Sequence, residues 1–190
     1  MALTALLIPT FRQMLGALDN WLGKAADHWV EAGRNPDDIP GLRLVPDMYP
    51  LASQIHFACF QAQEPLWRLR GMALPDGLLA LRAGAWKTDE YVETVEVARV
   101  HVAGAIDLLV SLAPDALDGE SERPIVLELP NGMVFDMDGD SYARDWALPQ
   151  FYFHITAAYA ILRAHGAPLG KADYVPHMFA YIRPGTAPTG

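Results

Sequence analysis

The stretch from Leu148 to Gly166 constrains the fold most, because it predicts a long helix that is apolar around nearly its whole circumference. A helix without a polar face must be covered on all sides, at the centre of a helical bundle or at an interface between subunits. One histidine, His154, lies among the aromatic residues of this stretch. A buried imidazole needs a hydrogen bond, a metal or a ligand, so the partner of His154 is the first functional question.

The composition is that of one globular domain with a full-sized core, since 52% of the 190 residues are hydrophobic and 19% are charged. No run of about 18 uncharged apolar residues is present, so we expect no membrane span. The N-terminus favours a first helix over a signal peptide, because it lacks a basic region and a cleavage site. The single cysteine, Cys59, permits no internal disulfide and suits a cytoplasmic protein. A net charge of -9 without a basic cluster disfavours nucleic-acid binding.

Apolar residues that recur every three or four positions predict four helices. The first is expected from about Ala2 to Ala32, with Pro9 as a kink or a later start. The second follows Asp47, a good N-cap, and has Pro50 in its first turn. Its apolar arc is wide and includes His56, and Cys59 lies on the side of the helix that faces the core.

The third helix is expected to begin at a cap formed by Thr88 and to end at Pro114. The segment before it, residues 71–87, gives no clear pattern. Two short apolar runs within residues 124–137 flank Asn131-Gly132, which predicts a β-hairpin.

The fourth helix is expected from about Ser141 to Gly166, with Pro149 as a kink. The chain after Ala167 is rich in proline and glycine and is predicted to be extended. We therefore expect an all-α protein: an up-and-down four-helix bundle in residues 1–175, with a small hairpin between the third and fourth helices. Residues 176–190 would form an extended or disordered tail.

The histidines on the second and fourth helices are the candidate metal ligands. Zinc and nickel sites in bundles use imidazoles from facing helices, which would pair His56 with His154. The positions one turn from His154 are Gln150 and Ala158, and neither is a good transition-metal ligand. His101 on the third helix is a spare candidate. The residues therefore favour core histidines, with a bound divalent metal as the alternative.

Asp136, Asp138 and Asp140 have the spacing that begins a calcium-binding loop. The glycine comes at the fourth position instead of the sixth, and Ala147 stands where a bidentate glutamate is needed. A hairpin end whose last acids cap the fourth helix is the better interpretation. The sequence contains no nucleophile elbow, phosphate-binding loop or dinucleotide-binding glycine motif.

Two segments resemble a known family. Residues 44–55, and residues 147–163 with the following 166–174, closely resemble the bacterial and fungal family DUF1993, whose function is unknown. The resemblance covers about Leu3 to Tyr174. It implies a fold of the DinB/YfiT-like type, four-helix bundles that are often dimeric. Many of these proteins hold a metal with three histidines, one on the second helix and an H-x-x-x-H pair on the last, and some are thiol-dependent transferases or hydrolases.

By this resemblance His56 falls where the second-helix histidine could lie, and His154 could match one member of the pair. The other member is missing, since Gln150 and Ala158 both differ from it. DUF1993 looks as though it has lost the triad, with an amide residue usual at the position of Gln150. The resemblance therefore supports the fold more than metal catalysis.

We expect a homodimer that is non-catalytic or binds a small apolar ligand. The pocket would lie between the second and fourth helices, and its polar groups would be those of Gln54, His56, Gln150, Tyr152 and His154. A divalent-metal transferase or hydrolase, with zinc or nickel on His56 and His154, is the alternative. A purely structural dimer is the third hypothesis.

Overall fold

Four long helices form the body of the molecule in a computed structural model, which describes residues 2–87 and 93–186. They are α1 (Leu3–Glu31), α2 (Leu51–Arg68), α4 (Val95–Val110) and α6 (Leu148–Ala164). Both α1 and α2 pack against α4 and α6, and they touch each other little. The predicted all-α four-helix bundle is confirmed, with α1 and α2 lying diagonally across it. No helix in the described ranges is both long and apolar enough to cross a membrane.

Prolines lie near the starts of the first two long helices, inside α1 at Pro9 and just before α2 at Pro50. α1 starts at Leu3 and continues through Pro9, so the helix does not start later. α2 starts at Leu51, and the N-cap predicted at Asp47 is wrong. The residue before a proline avoids the helical conformation, so the chain becomes helical only after Pro50. Among the described residues no side chain forms a capping hydrogen bond at the start of α2.

A helix that the sequence pattern did not reveal, α3 (Asp76–Ala85), follows Pro75 and packs against α2. α4 begins at Val95, where the Thr94 hydroxyl accepts a hydrogen bond from the backbone N–H of Val97, 3.2 Å away. The cap predicted at Thr88 lies outside the described residues.

The predicted hairpin is confirmed as strands β1 (Ile125–Glu128) and β2 (Val134–Met137). They are antiparallel, and Ile125 pairs with Met137 while Glu128 pairs with Val134. Gly132 in the turn has a φ of 85°, a conformation that glycine adopts at no steric cost. Ile125 and Leu127 face inward and are buried, which attaches the hairpin to the bundle.

The chain becomes helical after the hairpin in three steps: the short helix α5 (Gly139–Ser141), a π-helical turn over residues 142–147, and then α6. The side chain of Asp138 accepts a hydrogen bond from the backbone N–H of Ser141, 2.7 Å away. This bond lowers the pKa of the Asp138 carboxyl. The prediction that the last acids cap this helix is thereby confirmed for Asp138.

The segment after α6 is less extended than predicted. It contains α7 (Lys171–Tyr174) and a 3-10 helix over residues 176–181. The indole N–H of Trp21 donates to the carbonyl of Asp173, 2.8 Å away, and the ring of Tyr174 stacks on the same indole at 5.4 Å. These contacts hold α7 against α1.

Candidate functional site

His154 lies where α2 and α6 meet, with its Nδ1 atom 2.9 Å from Oε1 of Gln54. The Gln54 amide is fixed in this orientation, because its Nε2 atom donates to the carbonyl of Tyr49, 3.3 Å away. An amide oxygen only accepts hydrogen bonds, so Nδ1 of His154 carries the proton and donates it. Nε2 of the neutral ring is therefore left as an acceptor.

Aromatic neighbours keep the His154 ring neutral. Phe57 stacks on it with 4.8 Å between ring centroids, and Phe153 packs against it edge-on at 5.2 Å. Because this apolar surrounding removes water, it lowers the pKa of His154 from 6.5 to about 4. The side chain is thus an uncharged hydrogen-bonding group at neutral pH.

A cleft of about 180 Å³ opens beside His154, between α2, α3, α6 and the hairpin. Its aromatic lining residues are Phe57, Phe60, Trp86 and Trp146, and its uncharged polar ones are Gln61, Gln150 and His154. Glu64 and Arg68 also line it as an ion pair with 2.6 Å between Oε1 and Nε. We call this space the α2–α6 cleft.

Three buried polar atoms of residues in this cleft have no hydrogen-bond partner among residues 2–87 and 93–186. They are Oε1 of Gln61, Nε of Arg82 and Nε1 of Trp146. An unpaired buried polar group costs about 1–3 kcal/mol, so such groups are retained mostly where water or a ligand completes them. Residues that line the cleft therefore carry two unpaired donors and one unpaired acceptor beside aromatic rings.

The five residues predicted for one pocket lie in three places. Gln150 and His154 line the α2–α6 cleft, and Gln54 holds His154 by its hydrogen bond. Tyr152 lines a separate surface groove on α6. His56 belongs to a different cluster, because it lies two residues from Gln54 and so points about 200° away from it around α2.

His56 contacts an acidic residue from the segment before α4. Its Nε2 atom is 2.9 Å from Oε2 of Glu93, and Nε2 of His101 on α4 is 3.8 Å from the same oxygen. The side chains of His56 and Glu93 are 7% and 1% exposed, whereas that of His101 is 37% exposed. Burial and the nearby His56 ring lower the pKa of His101. We call these three residues the α2–α4 cluster.

The metal site predicted from His56 and His154 does not form, since the two histidines have different partners and line different clefts. The other possible metal ligands near His154 are the side-chain amides of Gln54 and Gln150. A single imidazole with two neutral amides does not fit zinc or nickel, which prefer imidazole, thiolate and carboxylate ligands. As the sequence indicated, Gln150 and Ala158 stand one turn from His154, where a second imidazole on α6 would be needed.

Sequence reasoning missed Arg82 and Glu93. Arg82 lies on α3, a helix too short and weakly patterned to predict. Glu93 falls in the second turn of the helix expected to begin at Thr88, and nothing in that pattern indicates a buried carboxylate. Its proximity to His56 follows from the packing of α4 on α2, which periodicity alone does not give.

The four-helix bundle with its small hairpin defines the class by its fold: a DinB-like helical bundle. The crystal structure of a DinB family member from Shewanella denitrificans is similar, with a TM-score of 0.75 and 26% sequence identity. The match covers 98% of this chain and 96% of that chain. DUF1993, a domain of unknown function, matches residues 3–175, and the chain belongs to this family. The predicted family and fold are thereby confirmed. No curated protein sequence matches the chain.

Proposed function

We propose that the protein binds a small aromatic acid in the α2–α6 cleft. The observation that carries this proposal is the presence of unpartnered buried polar atoms on residues of an otherwise aromatic cleft. Ligand sites characteristically combine apolar walls with a few convergent polar groups. A volume of about 180 Å³ lies below the roughly 300–1,000 Å³ of sites for drug-sized molecules, so the ligand is a single-ring compound.

The charge in the cleft favours a carboxylate. Glu64 is neutralised by Arg68, and Glu128 lies exposed at the rim. The guanidinium of Arg82 lies over the rings of Phe60 and Trp86, 5.3 and 5.6 Å from their centroids. It forms no ion pair within the described part of the chain. An arginine held on aromatic faces with a free N–H is well suited to a planar carboxylate.

The uncharged groups specify the remainder of the ligand. The indole N–H of Trp146 supplies a second donor for the acid, and the free oxygen of Gln61 requires a donor on the ligand. A hydroxyl on the ring would meet that need. The ring itself would pack against the aromatic walls of the cleft.

The proposal is tested by calorimetric binding of para-hydroxybenzoate, benzoate and para-hydroxybenzamide to the full chain. We expect the hydroxy acid to bind tightest. Removing either the charge or the hydroxyl should weaken binding by about tenfold, since one charged or buried hydrogen bond contributes about 1.5 kcal/mol.

Arg82→Gln should abolish the preference for the acid over the amide. Arg70→Gln is the matched control, because Arg70 also lies over an indole, that of Trp67, at 5.3 Å but does not line the cleft. Equal binding of acid and amide by the unaltered protein would contradict the proposal. Equal losses in the two arginine variants would contradict it as well.

The other predicted functions differ in their outcomes. A purely structural dimer would bind none of the three compounds, and changing His154 would alter stability alone. The homodimer and the cytoplasmic location remain predictions from the sequence. The predicted metal-dependent transferase or hydrolase would need a divalent ion, and the group of three side chains suited to one within the described residues lies on the opposite side of α2.

A further inference from the structure

We infer that the α2–α4 cluster, formed by His56, Glu93 and His101, is a site for a divalent transition metal. It is separate from the α2–α6 cleft. Its ligands also differ from the His56–His154 pair predicted from the sequence, because they come from α2, α4 and the segment before α4.

The first argument is the burial of Glu93. Its side chain is 1% exposed, and its Oε1 atom has no hydrogen-bond partner among the described residues. A buried carboxylate is costly unless its charge is compensated, and the hydrogen bond to His56 involves Oε2 and leaves Oε1 unsatisfied. A cation between the three side chains would supply the missing positive charge.

The second argument is the geometry of the possible ligand atoms. One from each residue can be chosen so that all three lie within 4.8 Å of one another. Oε2 of Glu93 lies 2.9 Å from Nε2 of His56 and 3.8 Å from Nε2 of His101. Bonds of about 2.0–2.1 Å in a tetrahedral zinc site put its ligands roughly 3.3 Å apart. Small side-chain movements would therefore complete the site, and His101 has the freedom for them because it is partly exposed.

The third argument is access. His56 and His101 line a groove of about 420 Å³ between α2, α3 and α4. Gly77 and Gly104 also line the groove, and a Cβ atom added at either would meet nothing within 4 Å. Two imidazoles and one carboxylate occupy three positions of a tetrahedral metal. The fourth would remain open to a water from the groove, as in zinc sites that bind exchangeable ligands.

The test uses untagged full-length protein, stripped with a chelator and titrated with zinc by calorimetry. Cobalt is titrated in parallel, and its visible d–d absorption reports tetrahedral coordination. We expect one zinc per chain. Glu93→Gln and His101→Asn should each weaken its binding by tenfold or more, whereas His28→Asn, a histidine outside the cluster, should leave it unchanged.

Circular dichroism of each variant shows whether it is folded, and His101→Asn is the safer variant because that side chain is partly exposed. The inference fails if the unaltered protein binds no zinc, or if the cluster variants bind it as the His28 control does. Binding of para-hydroxybenzoate should be the same in stripped and zinc-loaded protein. The metal site and the proposed aromatic-acid site can thus fail independently.

Discussion

The buried neutral ring of His154 makes the stability of the protein depend on pH in a specific range. The pKa of this side chain is about 4 in the folded protein and 6.5 when it is exposed. Well above pH 6.5 the ring is neutral in both states and contributes no pH dependence. As the pH falls from 6.5 towards 4, the unfolded chain binds a proton that the folded chain refuses, so the folded state loses stability.

The size of this loss follows from the two pKa values. Each pH step between them is worth about 1.4 kcal/mol, which sets a limit of about 3 kcal/mol for His154. At pH 4.5 the loss relative to pH 7.5 should be roughly 2–3 kcal/mol. That is a large part of the roughly 5–15 kcal/mol by which folded domains are stable.

The assay is urea unfolding at a fixed protein concentration, at several values between pH 7.5 and 4.5, for the unaltered protein and His154→Asn. Asparagine keeps a donor for Gln54 and cannot be protonated, so groups other than His154 cancel in the difference. We expect the stability difference between the two proteins to change by roughly 2–3 kcal/mol over this range. A constant difference, or an NMR titration of the His154 ring near pH 6.5, would refute a buried neutral histidine.

Three further predictions follow from the packing. A Cβ atom added at Gly139 would lie 2.0 Å from the carbonyl oxygen of Glu120, so Gly139→Ala should lower the free energy of unfolding by more than 1 kcal/mol. A Cβ atom added at Gly16 would meet nothing within 4 Å, so Gly16→Ala should raise the free energy of unfolding by about 0.5–1 kcal/mol. Urea unfolding measures both changes. Cys59 is fully buried and burial raises its thiol pKa, so a thiol reagent should label it only in denaturant; rapid labelling of the native protein would contradict this. Phe153 is 60% exposed on α6, and if the predicted homodimer uses this face, Phe153→Glu should give a monomer by light scattering and sedimentation, while an unchanged mass would rule the face out.

The sequence predicts those parts of the fold that depend on local periodicity. The periodic stripe of α1, the apolar run of α6 and the Asn131-Gly132 turn each determine their element within a few residues. The predicted start of α2 at Asp47 is wrong because Pro50 keeps the residue before it out of the helical conformation, and this restriction outweighs a favourable cap at Asp47. The sequence does not predict α3, because its ten residues form too few turns to show a clear apolar stripe.

In the candidate site, too, the sequence predicts local features but not the contacts between helices. The position of His154 in an apolar helix indicated a buried imidazole with a partner, and the structure supplies Gln54. The rest of the site depends on which face of α2 each polar residue occupies. Gln54 faces His154, and His56, two residues further along, lies on the opposite side of the helix, so it is not a neighbour of His154. A pattern gives the faces of a helix, but tertiary packing determines which neighbour each face meets.

The hairpin has a consequence for how this family could diversify. Its residues Leu127 to Pro130 form one wall of the α2–α6 cleft. The hairpin is attached to the bundle by the buried side chains of Ile125 and Leu127, and Met137 and Phe135 add contacts with the core and with Trp146. Substitutions or insertions near its turn would reshape the cleft without disturbing the helices that fold the protein. A chimaera that carries another family member's hairpin is therefore a direct test of whether the hairpin determines which ligand the proposed cleft site prefers.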